Sequence, residues 1–296
     1  MPLAEFIITG FCWVETPVDA MTQTVKRRQR GYPPRWSDAE VITMAIVGEL
    51  LGYPGDKAIG EYVRRPWAGW LPGLGDRTTF SRQAANLGGV KQQVQERRVA
   101  ERGAATDTGH VRDGFPIAVC KLARAVRSPV LKAAAAYGDG AAKADYYSGL
   151  KGQVMIDRRG VVTAMTVTAA NVDERDAAYD LLGAIEGLLM GDKGYIRPQF
   201  KADGEALGLD LPTPVRQNRK ASPPRWCRRL APRVRQRVET VIAQLEPRFG
   251  LAVRRARDTW HLTNRVARKL LAHTLAVWLN LRLGREPLAF DGLVTA

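Results

Sequence analysis

The chain has 296 residues, 45% of them hydrophobic, which suits one large domain or a main domain with a smaller partner and excludes a disordered polypeptide. Its formal net charge of +15, from 45 basic against 30 acidic residues, favours a polyanionic partner, nucleic acid ahead of an anionic membrane surface. Cys12, Cys120 and Cys227 stand far apart, which argues against a disulfide framework or a zinc site and fits a reducing cytoplasm.

Residues 1 to about 100 read as a helical, DNA-binding domain. Phe6 to Val14 is apolar but lacks the basic start and small-residue cleavage pattern of an export signal, and no segment approaches the length of a membrane span. The expectation is a cytoplasmic protein with no membrane partner. Ser37 and Glu40 form the S-x-x-E pattern of a capping box, and Val41, Met44, Ala45, Gly48 and Leu51 continue it as an apolar stripe, so a helix is predicted over Ser37 to Leu51. Gly52, Pro54 and Gly55 break it, and Asp56 is read as the cap of a second helix through Arg64. After the Trp-, Pro- and Gly-rich stretch Pro66 to Gly75, Asp76 opens a third helix with Thr79, Arg82 and Gln83 near its start. Helix, turn and helix in a basic protein allow a helix-turn-helix reader with Arg82 on its DNA-facing helix, although any small bundle has the same pattern. Arg97 to Gly109 is polar and reads as a linker.

Beyond it the texture turns to β. Strands are predicted at His110 to Cys120, Gly149 to Asp157 and Gly160 to Thr168, the last two joined through Arg158 and Arg159 as a hairpin. Asp173 to Ile185 reads as a helix with an acidic start, and the apolar Leu188 to Met190 leads to Asp192 in the turn Asp-Lys-Gly. A carboxylate at the C-terminal edge of a strand is held rigidly yet faces solvent, where a metal-dependent site needs it. A lone one is more often a turn residue, so company decides. Strands with an intervening helix predict an α/β sheet covered by helices.

From Arg216 to Arg237 the basic residues Arg216, Arg219, Lys220, Arg225, Arg228, Arg229, Arg233, Arg235 and Arg237 run without an Asp or Glu, inside a basic insertion at about 198–233 and the helix after it. Pro223, Pro224 and Trp226 disfavour a simple helix here, so the stretch reads as a loop lying along phosphates, with a solvated charged face as the plain alternative. Val234, Val238, Val241, Ile242, Leu245 and Phe249 then form one buried stripe, with Glu239 at its border one turn after Arg235, until Pro247 and Gly250 end the helix. A last amphipathic helix starts at Thr263, with Val266, Leu270, Leu271, Leu275, Trp278 and Leu281 apolar and Arg265, Arg268 and Lys269 outside. His110, His261 and His273 are scattered and read as structural or surface residues.

Three acids stand in separate elements: Asp113 in the first strand, Asp192 after the fourth and Glu239 on the late helix. Carboxylates converging from a sheet edge and a helix suit a pair of magnesium ions, which take hard oxygen ligands. Asp107, Asp139, Asp145 and Asp157 are rivals of Asp113; Asp107 lies in a polar turn before the strand, and Asp139 and Asp145 lie in a Gly/Ala-rich segment without an apolar flank, which ranks these three lower. In RDGFPIAVCKLARA (112–125), YYSGLKGQVMIDRRGVVTAMTVTAANVDERDA (146–177), LLMGDKGYI (188–196) and RQRVETVIAQLEPRFGL (235–251), the chain resembles a DDE transposase of a bacterial insertion sequence over about residues 110–284.

The resemblance implies a ribonuclease H-like α/β domain, a mixed sheet flanked by helices, following the N-terminal all-helical one. It implies Asp113, Asp192 and Glu239 as catalytic ligands of two Mg2+ ions, with Mn2+ as a substitute. The implied reaction is cleavage of DNA at element ends and joining of the 3′ hydroxyl to target DNA, by a homodimer or larger synaptic assembly. Of the Tyr, Arg, Glu and Lys carried by one branch of such enzymes around the last motif, Arg235 and Glu239 are kept, while Pro232 and Glu246 stand at the Tyr and Lys places. Expected nucleic-acid contacts are Arg82, Arg219, Lys220, Arg225, Arg228, Arg229 and Arg235. A metal-dependent nuclease on the same fold and a non-catalytic DNA-binding protein are the alternative readings.

Overall fold

The computed structural model describes residues 1–24, 34–64, 67, 69, 77–107, 109–140, 145–174, 176–183, 185–190, 198–211, 225–251 and 256–295. In chain order its helices are α1 (Leu3–Thr24), α2 (Asp38–Leu50), α3 (Asp56–Val63), α4 (Arg77–Asn86), α5 (Gly88–Glu101), α6 (Asp176–Leu182), α7 (Pro198–Ala206), α8 (Arg225–Ala243) and α9 (Thr259–Arg282). Its strands are β1 (Gly109–Lys121), β2 (Ala136–Gly140), β3 (Asp145–Asp157), β4 (Val162–Ala169), β5 (Gly187–Met190) and β6 (Leu209–Asp210). The chain divides into two compact units, one of Met1–Arg98, Arg248–Leu251 and Trp260–Ala296, the other of Val99–Pro247 and Ala252–Thr259.

The first unit is all-helical. The capping box is present at α2: Ser37 Oγ accepts from the Glu40 backbone N–H at 3.1 Å, and the Glu40 carboxylate accepts from the Ser37 N–H at 2.6 Å. Such a cap stabilises a helix by about 1 kcal/mol. Instead of one apolar stripe, α2 buries Val41 through Glu49 on every side, which makes it the central helix of the unit. The continuous apolar run VITMAIV carries that signal. Gly48 allows α3 to come close, since a Cβ there would stand 2.6 Å from Ile59. Asp56 is not the cap of α3; Gly55 holds that place, and the Asp56 carboxylate pairs with Arg268 of α9. Helix α5 runs through Arg97 to Glu101, the start of the expected linker, and Arg98 donates from Nε to the Trp13 carbonyl at 2.9 Å and lies over the Trp13 ring.

The second unit is built on a mixed sheet ordered β2-β3-β1-β5-β6, with β4 paired to β3 beyond the end of β2. Strand β1 is antiparallel to β3 and parallel to β5, and β5 is parallel to β6. Helix α6 packs on β3 and β4, and α8 packs on β1 and β3. The β3–β4 hairpin is tied by Asp157, whose buried Oδ1 accepts from the N–H groups of Arg159 at 2.9 Å and Val161 at 2.8 Å. This is the ribonuclease H-like α/β arrangement, a mixed sheet flanked by helices in a chain whose N-terminal region is helical.

Two segments differ from their sequence reading. Residues 225–233 of the basic stretch are helical rather than a loop, because arginine is nearly as good a helix former as alanine and the buried Val234, Val238 and Val241 anchor the same helix downstream. Pro232 is accommodated inside it. The Gly/Ala-rich segment around Asp139 and Asp145 forms β2 and the start of β3. Within the stretch read as an insertion, 198–206 is α7 and 209–210 is β6, while Arg219 and Lys220 lie outside the described residues.

Candidate metal-dependent nucleic-acid site

The register of β1 fixes which of its side chains share a face. Arg112 stands opposite Met155 and Asp113 opposite Val154. Met155 packs with Ala178, Leu181 and Leu182 of α6, so Arg112 lies on the α6 face and Asp113 on the other. Helix α8 packs on β1 and β3 and adds no residue to that α6 cluster, which leaves it to cover the Asp113 face.

Asp113 is half-buried, and its Oδ1 accepts from the Gly114 N–H at 2.8 Å. On α8, Val238 is buried and Glu239 is exposed, its Oε1 accepting from Arg235 Nε at 3.0 Å one turn earlier. Arg237, two residues before Glu239, donates to the carbonyl of Arg158 in the β3–β4 turn and so fixes the rotation of α8. Asp192 lies outside the described residues. The last register pair of β5 with β1 is Met190 with Val111, so Asp113 and Asp192 are each the second residue beyond it in their own segments. Among the described residues no three His, Cys, Asp or Glu side chains form a metal-sized group.

Two of the rival acids, Asp107 and Asp157, have other employment. Asp107 accepts from Arg158 Nε at 2.9 Å and from its N–H at 3.2 Å, while Asp157 is the hairpin tie. Both hold the turn in place, which is a structural use of a carboxylate. Asp139 is exposed on β2. Buried His110 has its imidazole pushed down by desolvation, against the pull of Asp107 and Asp157, so it stays neutral.

Reading by sequence missed the support behind Asp113. Buried Arg112 donates from Nε to Gln153 Oε1 at 2.9 Å and from Nη2 to the Glu174 carbonyl, and Gln153 Nε2 donates to that same carbonyl at 3.1 Å. The pair pins β1, β3 and the chain entering α6, so the strand bearing Asp113 is locked from behind. A basic residue next to the acid, with a glutamine in the neighbouring strand, is the signal that was available.

Of the expected nucleic-acid contacts, Arg82 is exposed on α4 and Arg235 on α8, and Arg225, Arg228 and Arg229 lie in the first turns of α8. Gln83, beside Arg82, is buried and donates to the Trp36 carbonyl at 2.9 Å. No helix among the described residues is long and apolar enough to cross a membrane. Three carboxylates, if they met, would offer only hard oxygen ligands, the donor set that magnesium takes.

A family model described as "Transposase DDE domain" matches residues 103–259, more than half of the chain and a span that contains Asp113, Asp192 and Glu239. No curated protein and no solved structure matches the chain.

Proposed function

The chain belongs to the DDE transposase family, and from that premise we propose that it cleaves DNA at the ends of an insertion sequence and joins the freed 3′ hydroxyl to target DNA. The observation that carries this reading is that the family match spans all three acids, with Asp113 on the central strand and Glu239 on the helix over the same face of the sheet.

Asp113, Asp192 and Glu239 would hold two Mg2+ ions, for which their all-oxygen donor set is suited. Bound there, the ions supply charge stabilisation at the attacking and leaving oxygens of an in-line phosphoryl transfer. The chain's own part is to orient and to bind. Arg112 and Gln153 keep β1 from shifting, the Asp113 carboxylate is oriented by the Gly114 N–H, and Arg235 steers Glu239. The basic start of α8 and Arg82 of α4 would carry phosphate contacts, with Arg219 and Lys220 in the segment between. The enzyme acts in the cytoplasm, and the need to hold two element ends makes a homodimer or larger assembly the working form.

The test uses the full chain, Mg2+, labelled DNA from the flanks of its reading frame and an unlabelled target. Labelled product joined to target supports transposition. Shortened fragments without joining would reduce the reading to a nuclease, and no cleavage with any divalent cation would overturn it.

A further inference from the structure

One joint in the sheet-bearing unit brings together two segments far apart in sequence, and the site above uses neither. Leu131 lies in the connection between the 3-10 turn Leu122–Arg127 and β2, and it donates its N–H to the Arg257 carbonyl at 3.2 Å. Both residues belong to that one unit. The Leu131 carbonyl in turn accepts from the N–H groups of Ala134 at 2.9 Å and Ala135 at 2.8 Å, so its backbone is held on both sides.

The joint is strained. Leu131 has a φ of 51°, in the left-handed region that a bulky residue rarely enters, and its side chain is buried, as is Ala256 beside its partner. A conformation of this kind persists where the surroundings fix it, and it concentrates at functional positions. What it fixes here is a pair of cations. Lys132 follows Leu131 directly, so Lys132 and Arg257 leave the joint from adjoining backbone positions. Both residues are exposed, and among the described residues neither side chain has a hydrogen bond, an ion pair or a ring contact.

The two segments are basic along their length. From Gly114 to Gly138 the chain carries Lys121, Arg124, Arg127 and Lys132 and no Asp or Glu; from Ala252 to Asp258 it carries Arg254, Arg255 and Arg257 and one acid. Arg254 and Arg255 lie outside the described residues. The acid, Asp258, stands directly before α9, where a carboxylate complements the start of a helix. Asp139 and Asp145 are at the far end of the β2–β3 ladder, where Gly140 pairs with Asp145, whereas Ala136, next to the joint, pairs with Gly149. At about 3.3 Å per residue, that sets both acids roughly 10–13 Å along the sheet from Ala136.

Cations set side by side, each free of a carboxylate, suit the repeated charge of a phosphate backbone. Reading bases takes planar or bidentate groups aimed into a groove, and Lys132 offers a point charge. We propose that Lys132 and Arg257, brought together at the Leu131 joint, form a contact site for the sugar-phosphate backbone of duplex DNA, separate in sequence from the basic start of α8. The site rests on the reading of DNA as substrate and adds a second, sequence-blind grip on it.

The test is fluorescence anisotropy of the full chain with labelled element-end and random duplexes at several salt concentrations. K132A/R257A should flatten the slope of log affinity against log salt by up to about 1.8, at about 0.9 per phosphate. Over a fourfold rise in salt, the wild type then loses up to about twelvefold more affinity than the variant. The change should be alike for both duplexes, with the unfolding curve unmoved, since neither side chain has a partner to lose. K132R/R257K keeps both charges and should keep the wild-type slope; a slope lost there as well would show a structural effect and overturn the site. Wild-type binding to DNA with an unchanged slope in folded K132A/R257A overturns the site and leaves the DNA reading standing, while a wild type that binds no DNA removes both. Loss of binding to phosphatidylserine vesicles in K132A/R257A, with DNA affinity unchanged, assigns the cations to a membrane surface and also overturns it.

Discussion

Arg235 and Glu239 face each other at 3.0 Å across one turn of α8, with 68% and 56% of their side chains in solvent. An exposed pair of this kind contributes only about 0.3–0.5 kcal/mol to a helix, so stability is a weak reason for it. Its use is to hold the Glu239 carboxylate in one direction. Glu239→Gln is therefore expected to abolish Mg2+-dependent cleavage with an unchanged unfolding curve, and Arg235→Gln to leave cleavage measurable with a raised Mg2+ requirement. Asp113→Asn is the matched comparison: the amide oxygen still accepts from Gly114, so the strand survives while the negative charge is lost. Cleavage retained in Asp113→Asn or Glu239→Gln, measured on labelled DNA, would move the site.

Buried charge in the helical unit gives a second, structural expectation. Glu49 accepts from Arg268 at 2.6 Å and from Lys269 at 2.8 Å, all three side chains being 3% exposed or less. Removing one member of a buried network leaves uncompensated charge, at a cost of about 3–5 kcal/mol. Glu49→Ala should thus lower the denaturant midpoint sharply. Replacing Glu49, Arg268 and Lys269 together by Leu, Met and Met should recover much of the loss; recovery of none would mean the ionic network itself, and not the desolvated charge, sets the cost.

These elements differ in how far the sequence reveals them. The capping box at Ser37 and the stripe Val234 to Leu245 are local, because backbone geometry converts residue spacing directly into a cap and a face. What a face packs against is not local. Arg268 reads as an outer charge on the last helix, yet it is fully buried, because Glu49 and Asp56, far away in sequence, neutralise it. Strand β2 is hidden by its alanines and glycines: Gly138 is there to clear Ala170, a tertiary demand with no periodic signature. At the candidate site the acids Asp113 and Glu239 are picked out by their flanks, whereas Arg112 and Gln153 become meaningful only once the β1–β3 register sets them on one buried face.

Lys91 gives a pH dependence with a definite sign. It is fully buried with Nζ donating to the Ala84 carbonyl at 2.6 Å and Asn264 Oδ1 at 2.7 Å, and desolvation together with Arg268 pushes its pKa down to about 7, against Asp56 and Glu49. Unfolded, the amine titrates near 10.5. Between about 7 and 10.5 the unfolded chain holds a proton that the folded chain has released, so this residue makes stability rise with pH across that window and level off below it. Chemical unfolding at a series of pH values should show Lys91→Met with a shallower rise than wild type, at the cost of two acceptors left unmatched. Parallel curves would mean that Lys91 keeps its proton when buried.

The basic start of α8 supplies the last expectation. Arg225, Arg228 and Arg229 lie within its first turns, and a helix spaces positions three and four apart along one side, so these three occupy neighbouring positions on the helix surface. Phosphate contacts carry no base information, so replacing all three by alanine should weaken binding about equally for element-end DNA and random DNA. Each neutralised duplex phosphate adds about 0.9 to the slope of log affinity against log salt, so the triple change should flatten that slope by up to about 2.7. Alanine is the better helix former, and α8 is anchored downstream by buried Val238 and Val241, so the variant should stay folded. Binding titrations at several salt concentrations decide the matter: an unchanged slope in a folded variant takes these arginines off the phosphate path and leaves α4, with exposed Arg82, as the surface to test next.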